Sequence, residues 1–140
     1  MEICFTVPGQ PVGKGRPRFR RAGKCVQTYT PDDTVIYENW VRECWKNAGA
    51  ARLEGEITAE ITAYFPIPKS TTKKRRADME AGTVGCITKP DTDNLAKCVL
   101  DALNGMAYGD DSQVTALTVR KLYSDTPRTE IKLTEKETAK

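Results

Sequence analysis

Residues 57–65 carry the pattern that most narrows the fold. Ile57, Ala59, Ile61 and Ala63 alternate with Thr58, Glu60 and Thr62 before Tyr64-Phe65-Pro66. A two-residue period puts successive side chains on opposite faces of an extended chain, so the segment reads as a half-buried strand that needs a cover on one face. Two helical stretches are available to provide it. Thr30-Pro31-Asp32-Asp33 reads as a helix start, with Thr30 as N-cap, Pro31 at the first helical position and two carboxylates facing the positive end of the dipole. From there to about Gly49, Ile36, Trp40, Val41, Cys44, Trp45 and Ala48 recur at spacings of three and four, opposite Glu38, Arg42, Glu43 and Lys46. This predicts one apolar stripe that buries both tryptophans. A second helix is expected from about Thr92 to Asn104, closed by Gly105, and further strands over Glu2–Val7, Val114–Tyr123 and roughly Thr129–Thr134. The order strand, helix, strand, helix, strand, strand predicts a single α/β domain over residues 1–140, a mixed β-sheet with helices packed on it.

A chain of 140 residues can bury a core without metal or disulfide staples. Its apolar content of 39% falls in short runs, none near the roughly 20 residues that a bilayer span needs, so no membrane association and a cytoplasmic location are expected. The five cysteines, Cys4, Cys25, Cys44, Cys86 and Cys98, are dispersed and odd in number, with no Cys-x-x-Cys pair, which argues for reduced thiols without a catalytic or zinc role. There is no histidine. Ser-His-Asp and Cys-His catalysis are therefore excluded, and any hydrolysis must rest on carboxylates, lysine or metal.

Net charge is only +3, but its distribution is uneven. Lys14, Arg16, Arg18, Arg20, Arg21 and Lys24 face the single acid Glu2 within residues 1–30, and Lys69, Lys73, Lys74, Arg75 and Arg76 form a second cluster. Residues 13–21, rich in Gly, Pro and charge, read as an irregular surface loop, and the second cluster as a short surface helix. Both suit a polyanion such as DNA, whose phosphates release counterions to lysine and arginine without sequence being read.

Against that basic background stands an acidic stretch, Asp91, Asp93, Asp101, Asp110 and Asp111, with Lys97 the one cation among them. On the expected helix, Asp93, Lys97, Asp101 and Asn104 share a narrow arc with Asn94 at its edge, while Leu95, Val99, Leu100, Ala102 and Leu103 form the packing face. Taken singly, Asp91 reads as an N-cap, Asp93 as a first-turn acid and Lys97 as an i,i+4 ion-pair partner. Taken together with Asp110-Asp111, the acids read as an oxygen-ligand site for a hard cation such as Mg²⁺, with Lys97 placed to stabilise negative charge or orient a water. The helix is about 20 Å long, and residues 105–111 reach at most about 25 Å when extended. Asp111 can therefore return to Asp91 within one chain or be supplied by a partner subunit, and both remain open at this level.

The run Lys89-Pro90-Asp91-Thr92-Asp93-Asn94-Leu95-Ala96-Lys97, then Asp101-Ala102-Leu103-Asn104-Gly105, then Tyr108-Gly109-Asp110-Asp111-Ser112-Gln113-Val114 resembles the RusA family of Holliday junction resolvases. The amino-terminal Pro8-Gly9-Gln10-Pro11 and Lys14-Gly15-Arg16-Pro17 are similar to phage-borne members, so the likeness spans most of the chain. The resemblance implies a homodimeric, Mg²⁺-dependent enzyme that makes paired nicks in four-way DNA junctions, encoded by a phage or prophage. It implies metal-binding aspartates at Asp91, Asp93 and Asp111, with Asp110 an additional candidate, and an essential lysine at Lys97; Asn94 and Asp101, on the polar arc of the helix, are expected to support them. Two other readings stay open: a non-catalytic protein that binds branched DNA, and a nuclease of the same chemistry acting on flaps or forks.

Overall fold

The computed structural model describes residues 1–15, 18–23, 25–29 and 32–136. Its main sheet has four strands: β1 (Glu2–Pro8), β4 (Ile57–Pro66), β5 (Val114–Ser124) and β6 (Arg128–Glu135), in the order β1-β6-β4-β5. β6 runs antiparallel to both β1 and β4, and β4 runs parallel to β5, so the sheet is mixed as expected. The parallel pair requires a crossover between β4 and β5. Helices α2 (Lys73–Ala81) and α3 (Thr92–Leu103) lie in it, after helix α1 (Asp32–Ala48) earlier in the chain.

Register aligns Phe5, Ile131 and Ile61 across three strands, and Val7, Thr129 and Ala63 beside them. All six are buried, and with Ile57, Ala59, Phe65 and Leu133 they make one face of the sheet the core. α1 and α3 pack on each other and close that face, α1 against β1 and α3 against β5. The alternation read over 57–65 is thus the burial pattern of β4, whose Ile57, Ala59, Ile61, Ala63 and Phe65 all point inward.

Two expectations are corrected. Residues 18–22 are not irregular: Arg18–Ala22 is strand β2, paired antiparallel with β3 (Cys25–Tyr29), and Gly23 turns the chain between them at φ +61°. This ribbon is a two-stranded sheet separate from the main one, and Arg18–Ala22, dense in charge, lacks the apolar alternation that marks β4. The second correction concerns α1. Val41, Cys44 and Trp45 are buried as expected, but Ile36, Trp40 and Ala48 are exposed and Glu38 is buried. The inward face runs through Thr34, Tyr37, Glu38, Val41, Cys44 and Trp45. It is rotated because its polar members have buried partners: the Tyr37 hydroxyl lies 2.7 Å from Thr129 Oγ1, and Glu38 accepts from Lys14 Nζ at 3.0 Å. Trp40 lies at the rim, donating from Nε1 to the Pro8 carbonyl at 2.8 Å. The expected N-cap, Thr30, and Pro31 lie outside the described residues.

Cys44, Cys86 and Cys98 are buried and Cys4 exposed, all four as free thiols. Among the described residues no helix is long and apolar enough to cross a membrane.

Candidate active site

α3 forms because Leu95, Ala96, Cys98, Val99, Ala102 and Leu103 supply one buried face at helical spacing. Its polar arc faces outward, with Asp93 and Lys97 exposed one turn apart. Asp91 occupies the N-cap position in extended conformation, yet its side chain makes no capping hydrogen bond. An aspartate here ordinarily satisfies a first-turn amide. Asp91 instead presents an exposed carboxylate, and Asp93, two residues on, is exposed as well, its Oδ1 accepting from the Asn94 amide at 3.0 Å. No ion pair among the described residues engages Lys97.

The segment entering α3 is held on two sides. The Cys86 amide donates to the Lys121 carbonyl on β5 at 3.0 Å, and the Lys121 ammonium donates to the Thr88 carbonyl. Burial alone would raise the Cys86 thiol, but hydrogen bonds to Thr88 and Tyr123 and the charge of Lys121 bring it below its ordinary pKa. On the other side Gly13 lies against Pro90 so closely that a Cβ would sit 2.6 Å from the proline Cβ, a contact only glycine permits. Two hollows flank the first turn. One of about 450 Å³ is lined by Lys89, Pro90, Asp91 and Asn94, and one of about 300 Å³ by Thr92, Asp93, Ala96, Leu117 and Val119.

Asp110 and Asp111 are exposed at the start of a short 3-10 turn, Asp111–Gln113, that leads into β5. Gln113 organises it. Its Oε1 accepts from the Gly109 and Asp110 amides at 2.8 and 3.2 Å, and its Nε2 donates to the Leu53 and Gly55 carbonyls at 3.3 and 3.0 Å. The Ser112 hydroxyl, donating to the Asp110 carboxylate, holds that group below the ordinary carboxylate range. The Tyr108 hydroxyl donates to the Leu100 carbonyl at 2.7 Å, and its pKa is pushed upward first by burial and then by the charges of Asp111, Asp101 and Asp110.

This places the expected metal ligands in two groups. The first turn of α3 shares a hollow with Leu117 and Val119, well along β5, whereas Asp111 precedes the start of β5. Between the groups lies α3, whose 12 residues span about 18 Å. Among the described residues, no three His, Cys, Asp or Glu side chains come together in one chain closely enough to hold a metal ion. The donor chemistry suits Mg²⁺, being exposed carboxylate oxygen, but a single chain offers it in two separate parts.

The basic residues also divide. Arg21 is exposed, Arg18 and Arg20 are placed in β2 by its backbone, and Arg16 lies outside the described residues. On α2, Lys73, Lys74 and Arg75 are exposed, while Arg76 is engaged by Glu80 and Asp125. α2 packs on β5, the strand whose Lys121 also holds the segment that enters α3. Lys14 is turned inward to Glu38 and Asp101, and Asn94 contributes its carbonyl to the Lys14 amide. Gln113, Lys121 and Glu38 were given no role from sequence. Gln113 stood within the quoted motif, but nothing about Lys121 or Glu38 singled them out.

The model for the family described as "Endodeoxyribonuclease RusA" matches residues 8–134 of this chain. The Bacillus subtilis (strain 168) protein YqaN is 38% identical over 136 residues, covering 95% of this chain and 96% of its own. With the aspartates of α3 and of the Asp110–Asp111 turn inside the matched region, the chain belongs to the RusA family of endodeoxyribonucleases.

Proposed function

We propose that this protein resolves Holliday junctions as a homodimer, by Mg²⁺-dependent hydrolysis of phosphodiester bonds in opposing strands during DNA recombination and repair. One observation carries the reading: Asp91 stands exposed at a helix N-cap without capping, and Asp93, also exposed, lies one turn from Lys97, which no ion pair among the described residues engages, in a chain of an endodeoxyribonuclease family.

The division of the carboxylates supports a dimer. β5 is an edge strand, and Thr115, Ala116, Leu117 and Thr118 are exposed along it. Such an edge is a template for a further strand. Antiparallel pairing with β5 of a second copy would reverse the strand direction and carry the start of that strand, with its Asp111, toward the Leu117–Val119 stretch that shares a hollow with Asp93. A two-fold axis there gives two identical composite sites, which suits a nearly two-fold symmetric junction.

In each site Asp91 and Asp93 of one subunit and Asp111 of the other would hold the metal, with Asp110 adding to the negative field. Held by these carboxylates, a bound Mg²⁺ would supply activation of a water and an offset to charge on the scissile phosphate. Lys97 brings its ammonium to the same face of α3 and stabilises negative charge developing on the phosphate oxygens. Arg18, Arg20 and Arg21 of β2, with Arg16 ahead of them in the sequence, and the exposed cations of α2 hold the arms through backbone phosphates, leaving selection to junction shape. Such a substrate places its work in the cytoplasm of a bacterial host, with a phage or prophage as the source of the gene.

The test is cleavage of a synthetic four-way junction with and without Mg²⁺. Wild-type protein is expected to cut only with the metal, and Asp93→Asn and Asp111→Asn to bind without cutting. Tight binding with no cutting in any divalent metal would overturn the enzyme in favour of a branched-DNA-binding protein. Faster cutting of flaps or forks would overturn the junction as substrate.

A further inference from the structure

Lys14 opens the basic amino-terminal segment, and on charge alone it belongs with the DNA contacts. Its surroundings say otherwise. The ammonium lies 3.0 Å from Glu38 Oε2 on α1 and 3.2 Å from Asp101 Oδ2 on α3. Its own amide donates to the Asn94 carbonyl, in the first turn of α3, at 2.8 Å. Asn94 and Asp101 are about two helical turns apart, so one residue grips α3 near both ends of its polar arc.

Its neighbours extend the grip. The Gly15 amide donates to Thr34 Oγ1 on α1 at 3.0 Å, and Gly13 is pressed against Pro90 beside Asp91. The segment Gly13–Gly15 is therefore bonded to both helices immediately before the chain enters the β2–β3 ribbon. Glu38 keeps only 9% of its side chain exposed and Lys14 22%, which distinguishes this pair from surface ion pairs of little consequence. Burial acts to lower the Lys14 pKa, but the Glu38 and Asp101 carboxylates reverse this and leave it raised.

We propose that Lys14 is a positioning residue: it fixes the basic ribbon relative to the Asp91–Asp93 end of α3 and so sets where bound DNA falls on the carboxylates. This rests on the endonuclease reading above. DNA-binding charge and catalytic carboxylate sit on different elements, and a displacement of about 1 Å between them can cost on the order of 100-fold in rate. A lysine that contacts phosphate behaves differently, since its removal lowers the slope of log affinity against log salt by about 0.9.

The experiment uses the full chain and a synthetic four-way junction. It compares wild type with Lys14→Met and Lys14→Arg, reading the salt dependence of binding and the single-turnover cutting rate at saturating junction, well below the melting temperature. Lys14→Met is expected to keep the wild-type Kd and salt slope while the rate of the bound complex falls roughly 10- to 100-fold. Lys14→Arg, which can still bridge the two carboxylates, is expected to recover most of that rate. A salt slope reduced by about 0.9 overturns the proposal in favour of a phosphate contact. An unchanged rate with a lowered melting temperature overturns it in favour of a purely stabilising role. If Lys14→Met does not fold, Glu38→Gln, which weakens the pair and keeps the lysine, carries the same two readouts. Failure of the wild type to cut would remove the endonuclease reading, and the salt slope would then still decide whether Lys14 touches phosphate.

Discussion

Gln113 and Asp110 hold each other in both directions: the Gln113 amide donates to the Asp110 carbonyl at 3.0 Å, and Gln113 Oε1 accepts from the Asp110 amide at 3.2 Å. The same side chain reaches the Gly109 amide and the Leu53 and Gly55 carbonyls, so the turn carrying Asp111 is fixed to the chain just ahead of β4. Gln113→Leu keeps the approximate volume and removes all four side-chain bonds. It is expected to lower stability by about 2 kcal/mol, since each such bond is worth about 1 kcal/mol or less at a half-exposed site. The single-turnover cutting rate should fall more than about tenfold while junction affinity is kept, as measured by thermal melting and by cleavage at saturating substrate.

Asp93 stands in the first turn of α3 and Asp111 in the turn that leads into β5, and composite sites predict complementation between them. Asp93→Asn and Asp111→Asn proteins are each expected to be inactive alone. Mixed and allowed to exchange subunits, they should regain roughly a quarter of the wild-type sites, because half the dimers are mixed and each of those holds one intact site of two. The measurement is junction nicking as a function of mixing ratio. No activity at any ratio, with exchange shown independently, would put both carboxylates in the site of one subunit.

The cations of α2 divide into exposed and engaged, which predicts unequal roles. Lys73→Ala, Lys74→Ala and Arg75→Ala should each lower the salt slope of junction binding by about 0.9. Arg76→Ala should leave the slope unchanged, because its guanidinium is already held by Glu80 and Asp125. Binding titrations between low and moderate salt distinguish the two outcomes.

Stability at acid pH should depend on Glu135. The amides of Gly55 and Glu54 donate to its Oε2 at 3.1 and 2.7 Å and hold its carboxyl below the ordinary range. A carboxylate with a depressed folded pKa stabilises the fold above its unfolded value, about 4.3 for glutamate, and loses that contribution as pH falls through the folded value. Wild type should therefore melt above Glu135→Gln near pH 7, with the difference closing below about pH 4. A difference independent of pH would assign the effect to packing at Gly55, where a Glu135 methylene lies close.

Much of the architecture was legible because it rests on periodicity. β4 announces itself by alternation and α3 by its buried stripe, and both patterns persist because each element has one face in a continuous core. The β2–β3 ribbon was not legible, since Arg18–Ala22 is dense in charge and lacks the apolar alternation that marks β4. Nor was the rotation of α1: Thr34, Tyr37 and Glu38 look like outward-facing polar residues until Gly15, Thr129 and Lys14 are brought beside them.

By itself the sequence narrowed the kind of chemistry available, because lacking histidine removes Ser-His-Asp and Cys-His catalysis and leaves carboxylates, lysine or metal as the routes to hydrolysis. It also named the residues of α3 that face outward, since helical geometry sets that locally. What only the tertiary structure decided is which of those residues meet. Asp111 is parted from Asp93 by the length of α3, and Lys14 is drawn from a basic segment into a pair of carboxylates on two helices. Both outcomes depend on contacts between segments distant in the chain, which no local spacing encodes.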